Sequence, residues 1–213
     1  MAKALIAMSG GVDSSAAAWL TRQAGYECEG AIMRMFDRDI LTGSDGGDDV
    51  SDARAVAAKM GIPFHVLDAR ESFAGYVIGD FIRTYEGGAT PNPCINCNKH
   101  LKFGALLEAA LDLGCEKIAT GHYVRQVRRK GKTFLRRGAD RAKDQSYFLY
   151  TLSQQQLAHI RFPLGRYTKD QIRAIASEQG FINARKRDSQ DICFVPDGDY
   201  VRFLEDYTGQ TYP

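Results

Sequence analysis

The sequence predicts an α/β fold: a Rossmann-like parallel sheet with crossover helices, followed by a small, mostly helical subdomain. Three observations carry this. Short apolar runs recur as far as Thr120, helical patterns alternate with them, and a Gly-Gly turn follows the first run. The apolar runs are Ala4–Met8, Ala31–Met35, Phe64–Leu67 and Lys117–Thr120, nearly continuous, as strands buried on both faces require. Between them lie the helical patterns Ser14–Gln23, Val50–Met60, Ser72–Tyr85 and His100–Leu113. Ligands of such sheets bind at the carboxyl ends of the strands, so the loops after Met8, Met35, Leu67 and Thr120 should converge. Beyond Gly121 the pattern changes. Tyr123–Val127 and Thr133–Arg137, joined through Arg129-Lys130-Gly131, read as a hairpin, and helices are expected at Gln154–Ile160, Lys169–Glu178 and Tyr200–Tyr207. The expected division is an ATP-binding catalytic domain over 1–150, with the basic hairpin at about 123–137, and a helical subdomain over 151–213 carrying Cys193.

Composition narrows the class. Of 213 residues, 44% are hydrophobic and 25% charged, ordinary for a globular chain with one well-buried core. No basic-then-apolar leader and no bilayer-length apolar run occurs, so a cytoplasmic location is expected. Net charge is only +2, yet nine basic residues against one acid fall between Arg125 and Lys143, a candidate footprint for a phosphate backbone or a plain solvated hairpin. Between Asp37 and Asp52 six aspartates face one arginine, and Thr42–Asp49 reads as a mobile loop over a nucleotide.

The first motif is Ala7-Met8-Ser9-Gly10-Gly11-Val12-Asp13-Ser14. Glycines permit a sharp turn and close backbone approach, and the helix that follows offers unpaired amides and a dipole to an anion. The string lacks GxxxxGK[ST] and GxGxxG; it resembles the pyrophosphatase (PP) loop of enzymes that cleave ATP between the α- and β-phosphates.

Five cysteines, an odd number, argue against a disulfide framework. Cys28 and Cys115 sit beside strands as small core residues, whereas Cys94, Cys97 and Cys193 lie in polar, loop-like sequence. Cys94-Ile95-Asn96-Cys97 suits a metal, a cluster or a redox pair; His100 and His122 have poor spacing for a fourth zinc ligand. Three thiolates suit a [4Fe–4S] cluster with one open iron; the alternative is a nucleophile, Cys97, with a sulfur-carrying Cys193 whose pKa the run Arg185-Lys186-Arg187 would lower. Thr120-Gly121-His122-Tyr123 places a glycine near the nucleotide and His122 at the mouth of the site. Lys143-Asp144-Gln145 beside Tyr147-Phe148 suits a splayed-out nucleotide or, equally, a helix N-terminus with a core-facing Tyr-Phe.

These strings, with TPNPCINCNKHLKFG, KDQSYFLYTLS, FPLG and DSQDICFVP in order from Met8 to Pro196, resemble the tRNA-specific 2-thiouridylase family, the bacterial MnmA type with an adenine nucleotide α-hydrolase (PP-loop ATPase) fold. The resemblance implies adenylation of the C2 oxygen of the wobble uridine and its replacement by sulfur, giving 2-thiouridine, AMP and pyrophosphate. It implies that Ala7–Ser14 hold ATP phosphates with Mg2+, that Met33 and Gly121 contact adenosine, and that Asn92, Pro93 and Cys94 lie near the target base. Cys97 would be the nucleophile and Cys193 the persulfide carrier; His122, Lys143, Asp144 and Gln145 would touch tRNA. The implied partners are tRNA and a sulfur donor, whether a cysteine desulfurase, a relay protein or free sulfide, with no membrane.

The chain departs from the pattern twice. Family members carry aspartate where this chain has Cys94, which favours a [4Fe–4S] cluster on Cys94, Cys97 and Cys193 over the persulfide scheme. Relatives also continue beyond the equivalent of Pro213 into a central module and a C-terminal β-barrel, both absent from this sequence. The competing functions are a PP-loop ligase or amidotransferase, in which the cysteines have no task, and a non-catalytic ATP- and tRNA-binding remnant.

Overall fold

The computed structural model describes residues 1–36, 49–186, 192–195 and 197–212. Five strands form one parallel sheet in the order β3-β2-β1-β4-β7: β1 (Lys3–Ala7), β2 (Glu27–Arg34), β3 (Phe64–Asp68), β4 (Lys117–Ala119) and β7 (Ile160–Arg161). Alternation along the strands splits the core in two. Leu5, Ala31 and Ile118 face one way; Ile6, Ile32 and Ala119 face the other. The Ile6 side is covered by α1 (Val12–Gln23), α2 (Asp49–Met60) and α8 (Lys169–Glu178). The Leu5 side is covered by α6 (Leu106–Asp112) and by the antiparallel ribbon of β5 (Val124–Arg129) and β6 (Lys132–Arg137). The chain leaves β1 through α1 to β2 and β3, then returns to β4 on the other side of β1. The order therefore reverses between β1 and β4, the place where such sheets bind ligands.

The expected strands are present, though β2 starts earlier than its apolar run suggests, because Glu27 and Glu29 alternate with buried Cys28 and Gly30. Two readings need correction. The helix expected from His100 begins at Pro93: α5 (Pro93–Asn96) runs through a π-helical segment, Cys97–Ala105, into α6, so the CxxC is helical rather than a loop. Pro93 at the first helical position loses no internal hydrogen bond, which is why the prolines start the helix instead of preventing it. Ile160 is likewise not a helix end but the start of β7; α7 stops at Gln154–His159. A second π segment, Ala74–Ile78, lies between α3 (Arg70–Phe73) and α4 (Gly79–Glu86). At the ribbon tip Lys130 and Gly131 have φ of 47° and 77°, the conformation a two-residue hairpin turn demands. The last helix, α9 (Tyr200–Thr208), packs Phe203 and Leu204 against Phe81 and Phe194.

Candidate active site

The nucleotide loop is shaped from within. Ser14 Oγ accepts a hydrogen bond from Ser9 N (3.1 Å) and donates to Gly11 O (3.0 Å), so the serine hydroxyl closes the turn. Gly10 has φ of 67°, and a Cβ there would lie 2.6 Å from Asp49 O. Only glycine fits both constraints. A Cβ on Gly121 would lie 3.0 Å from the carbonyl carbon of Asp13 and 3.1 Å from Ser14 N, so the strand end after β4 is packed on the first turn of α1. Ala7–Ser14 and Gly121 are thus one constellation; Met33 stands beside it on β2. The loop expected at Thr42–Asp49 lies, but for Asp49, outside the described residues.

Three side chains that the sequence reading missed support this loop from far along the chain. Lys169 Nζ, almost wholly buried, donates to both oxygens of Asp13 (2.7 and 2.8 Å), and Tyr123 OH donates to Asp13 Oδ1 (2.8 Å). Asn183 Nδ2 donates to Gly10 O (3.0 Å) and Ser15 Oγ (2.9 Å). Its Oδ1 is buried without a protein partner.

The cysteines gather at the same end of the sheet. Cys97 is buried with its Sγ 3.9 Å from Met35 Sδ, just past β2; Cys94 and Cys193 reach the surface. Each of Cys97 and Cys193 feels the charge of its neighbours: Cys94 raises Cys97, and Cys97 and Cys94 both raise Cys193. Desolvation by the surrounding protein is the larger cause and pushes all three thiols up, even though Cys94 and Cys193 keep part of their surface exposed. Arg185 and Lys186 do not supply the lowering expected of that run, whose third member, Arg187, lies outside the described residues. Lys186 Nζ turns instead to Asp49 (2.9 Å) and Asp52 (2.5 Å) on α2. Among the described residues, Lys102 on the π segment acts on all three sulfurs, and the sequence reading did not single it out. Among the described residues no three His, Cys, Asp or Glu side chains converge as ligands of a single ion. A cubane cluster holds its thiolates at separate corners, farther apart than the ligands of one ion, and an all-thiol set under mutual repulsion is the donor chemistry that cationic iron relieves.

The residues expected at tRNA are placed differently. His122 is not at a mouth: it is 7% exposed, its ring lies against Phe103 and Phe162, and its Nδ1 shares a 2.7 Å hydrogen bond with Thr120 Oγ1. Asp144 accepts from Gly138 N (2.9 Å) and Ser146 Oγ (2.8 Å), and Gln145 Oε1 accepts from Tyr123 N (3.1 Å). Burial alone would raise Asp144, but these hydrogen bonds bring its pKa below the usual carboxylate value. Asp144 and Gln145 therefore hold the loop after the ribbon onto the strand end, with Lys143 half-buried beside them. Asn92 precedes α5 without a side-chain cap hydrogen bond, and Pro93, its first residue, is buried. Tyr147, 57% exposed, is close enough to Cys94 to feel its charge.

A parallel sheet with the glycine loop at its switch point defines a Rossmann-like, HUP-type nucleotide-binding domain. The chain belongs to the family described as the tRNA methyl transferase HUP domain, matched over residues 2–197. Among its relatives, the tRNA-specific 2-thiouridylase MnmA of Acidithiobacillus ferrooxidans is 51% identical over 207 residues, covering 97% of this chain and 58% of the relative. The protein of the same name from Lachnoclostridium phytofermentans is 46% identical over 217 residues, covering 99% of this chain and 61% of the relative. The chain thus spans about three-fifths of the relatives it matches. In fold it is similar to the U34-tRNA thiolase NcsA from Methanococcus maripaludis with its [4Fe–4S] cluster (TM-score 0.56, 15% identity, 97% of this chain and 66% of that one). It is also similar to NMN synthetase from Francisella tularensis (TM-score 0.51, 16% identity, 99% and 79%). No helix among the described residues is long and apolar enough to cross a membrane.

Proposed function

We propose that this domain carries out ATP-dependent thiolation of tRNA. The observation that carries the reading is a juxtaposition: Cys97 lies against Met35 just beyond β2, and the glycine loop lies just beyond the neighbouring β1, both at the carboxyl end of the parallel sheet. In this reading the amides of Ser9–Ser14 and the first turn of α1 receive the ATP phosphates, with Mg2+ offsetting their charge. The C2 oxygen of the wobble uridine attacks the α-phosphorus and expels pyrophosphate. Sulfur then attacks C2 and expels AMP, a far better leaving group than oxide. Met33 and Gly121 line the adenosine side, and Asn92, Pro93 and Cys94 the base. A cysteine desulfurase, a relay protein or free sulfide supplies the sulfur.

Cys94, Cys97 and Cys193 would hold a [4Fe–4S] cluster, which supplies a Lewis-acidic open iron corner for sulfide when bound. Cys97 stays shielded from water while Cys94 and Cys193 reach the surface, and Lys102 offsets part of the thiolates' negative charge.

The test uses protein purified without oxygen, Mg-ATP, unmodified tRNA and sulfide. Pyrophosphate release and 2-thiouridine in digested tRNA are expected, with iron and acid-labile sulfide in the protein that are lost in Cys94→Asp. Pyrophosphate release by the parent chain with no 2-thiouridine formed, retained in full by a Cys94→Ser/Cys97→Ser/Cys193→Ser variant, would return the domain to an ATP-dependent ligase.

A further inference from the structure

We infer that the outer face of the β5–β6 ribbon is a binding surface for an RNA backbone. The register pairs Arg125 with Arg136, Val127 with Phe134 and Arg129 with Lys132. In an antiparallel pair, residues directly opposite share a face, so these six side chains form one surface and the alternate set the other. The middle of the alternate set is accounted for by packing, while its arginines, Arg128 and Arg137, are exposed. Val124 and Leu135 join the core on the Leu5 side, and Gln126 Nε2 donates to Leu157 O (3.2 Å). The outer set has no such explanation. Two of its three cross-strand pairs put like charges opposite each other, an arrangement that costs stability in a sheet. Between them stands Phe134, a phenylalanine 49% exposed to water.

A third arginine completes the surface. The turn Pro163–Arg166 is pressed so closely on β5 that a Cβ at Gly165 would lie 2.0 Å from Val124 O. That contact seats Arg166 beside Arg125 and Arg136, around a cleft of about 400 Å³ whose lining contains no acid. Arg125 uses one donor on Arg137 O (2.7 Å), leaving the rest of its fork to face outward. Arg136 and Arg166 form no ion pair among the described residues. Three forked donors around an acid-free cleft suit phosphate oxygens, and a flat apolar ring between cations suits an unstacked base.

The neighbouring surface favours RNA as the occupant. The turn Ser146–Leu149 packs between β6 and α5, exposing Tyr147 (57%) next to Cys94, and Tyr150 (72%) is exposed on its flank. Basic forks followed by exposed rings on the way to the cysteines make a track for a strand with splayed bases. The inference rests on RNA as the partner in the proposed reaction. It assigns that partner an anchoring site on residues apart from those of the chemistry.

The test is equilibrium binding of labelled, unmodified tRNA to the whole chain, without ATP or sulfide, so a failure of thiolation leaves it intact. In Arg125→Gln/Arg136→Gln/Arg166→Gln the Kd at about 0.1 M salt should rise about 30-fold or more, and the slope of log K against log salt should shrink by about 2–3. A control removing equal charge from the other side of the sheet, Arg22→Gln/Arg54→Gln/Lys59→Gln, should stay within about twofold of the parent chain. Wild-type affinity and slope in the ribbon variant would overturn the proposal, as would equal losses in both variants or no binding by the parent chain. Loss of binding to phosphatidylserine vesicles with tRNA binding unchanged would assign the face to a membrane and overturn it too.

Discussion

At His122 the imidazole has exchanged water for Phe103 and Phe162. Burial, with the Lys102 charge second, holds its pKa well below the ordinary 6.5. In the unfolded chain the same ring titrates near 6.5. Below that pH the unfolded state binds a proton that the native state refuses, so stability falls as pH falls. Above about pH 7 both states are neutral and the contribution is flat. His122→Gln should therefore lose less of its urea midpoint between pH 7 and pH 5 than the parent chain does. Parallel losses in the two proteins would show that the ring is protonated without cost. The sequence puts His122 at an open mouth because it follows a glycine at a strand end. Its burial is due to Phe162, forty residues on and across the β4–β7 pairing, which no local pattern couples to it. Lys169 and Asn183 escape a local reading in the same way. The first reads as the start of a helix capped by Thr168, yet it closes onto Asp13 156 positions away.

Elements written in long apolar or amphipathic patterns were legible; those made by pairing or by helix register were not. Strands β1 to β4 declare themselves as apolar runs, and the ribbon turn declares itself through Lys130-Gly131. Strand β7 is two residues long, too short for any period, and exists because Ile118 and Ala119 offer a free edge. The π segment Cys97–Ala105 keeps the composition of an ordinary helix while rotating the cysteines relative to α6, so neither its start nor its register could be read. The turn Pro163–Arg166 offers a sharp test at this scale. A methyl group at Gly165 meets backbone, Val124 O at 2.0 Å and Val124 C at 2.6 Å, and backbone cannot step aside as a side-chain end can. Gly165→Ala should cost about 3 kcal/mol, which for a chain of this size is a fall in Tm of about 6–12 °C. It should also weaken tRNA binding by unseating Arg166. A variant melting within a degree or two of the parent would mean that the turn and β5 are not in this contact.

Across the whole molecule, two cores serve two halves of the chemistry. The glycine loop leans on the core of the Ile6 side, through Met8 and Val12. The cysteines lean on a separate aromatic core of Phe73, Phe81, Phe194 and Phe203, which also holds Cys97, and whose last members come from the far end of the chain. Phe194 is 1% exposed and adjoins Cys193, so the ring fixes that cysteine's place by filling the core beneath it. Replacing it with alanine removes the ring but leaves every thiol and every residue of the nucleotide loop chemically intact. Phe194→Ala should cost about 3–5 kcal/mol, read as a drop in urea midpoint. Cys193 should then react faster with a thiol reagent, and iron bound after reconstitution should fall. ATP affinity, measured where the variant is still folded, should stay within about threefold, because the loop draws on the other core. If ATP affinity collapses together with the cysteine site, the two cores are one cooperative unit. If neither iron binding nor Cys193 reactivity moves, the position of Cys193 does not depend on Phe194, and the three-thiol site is held by some other contact.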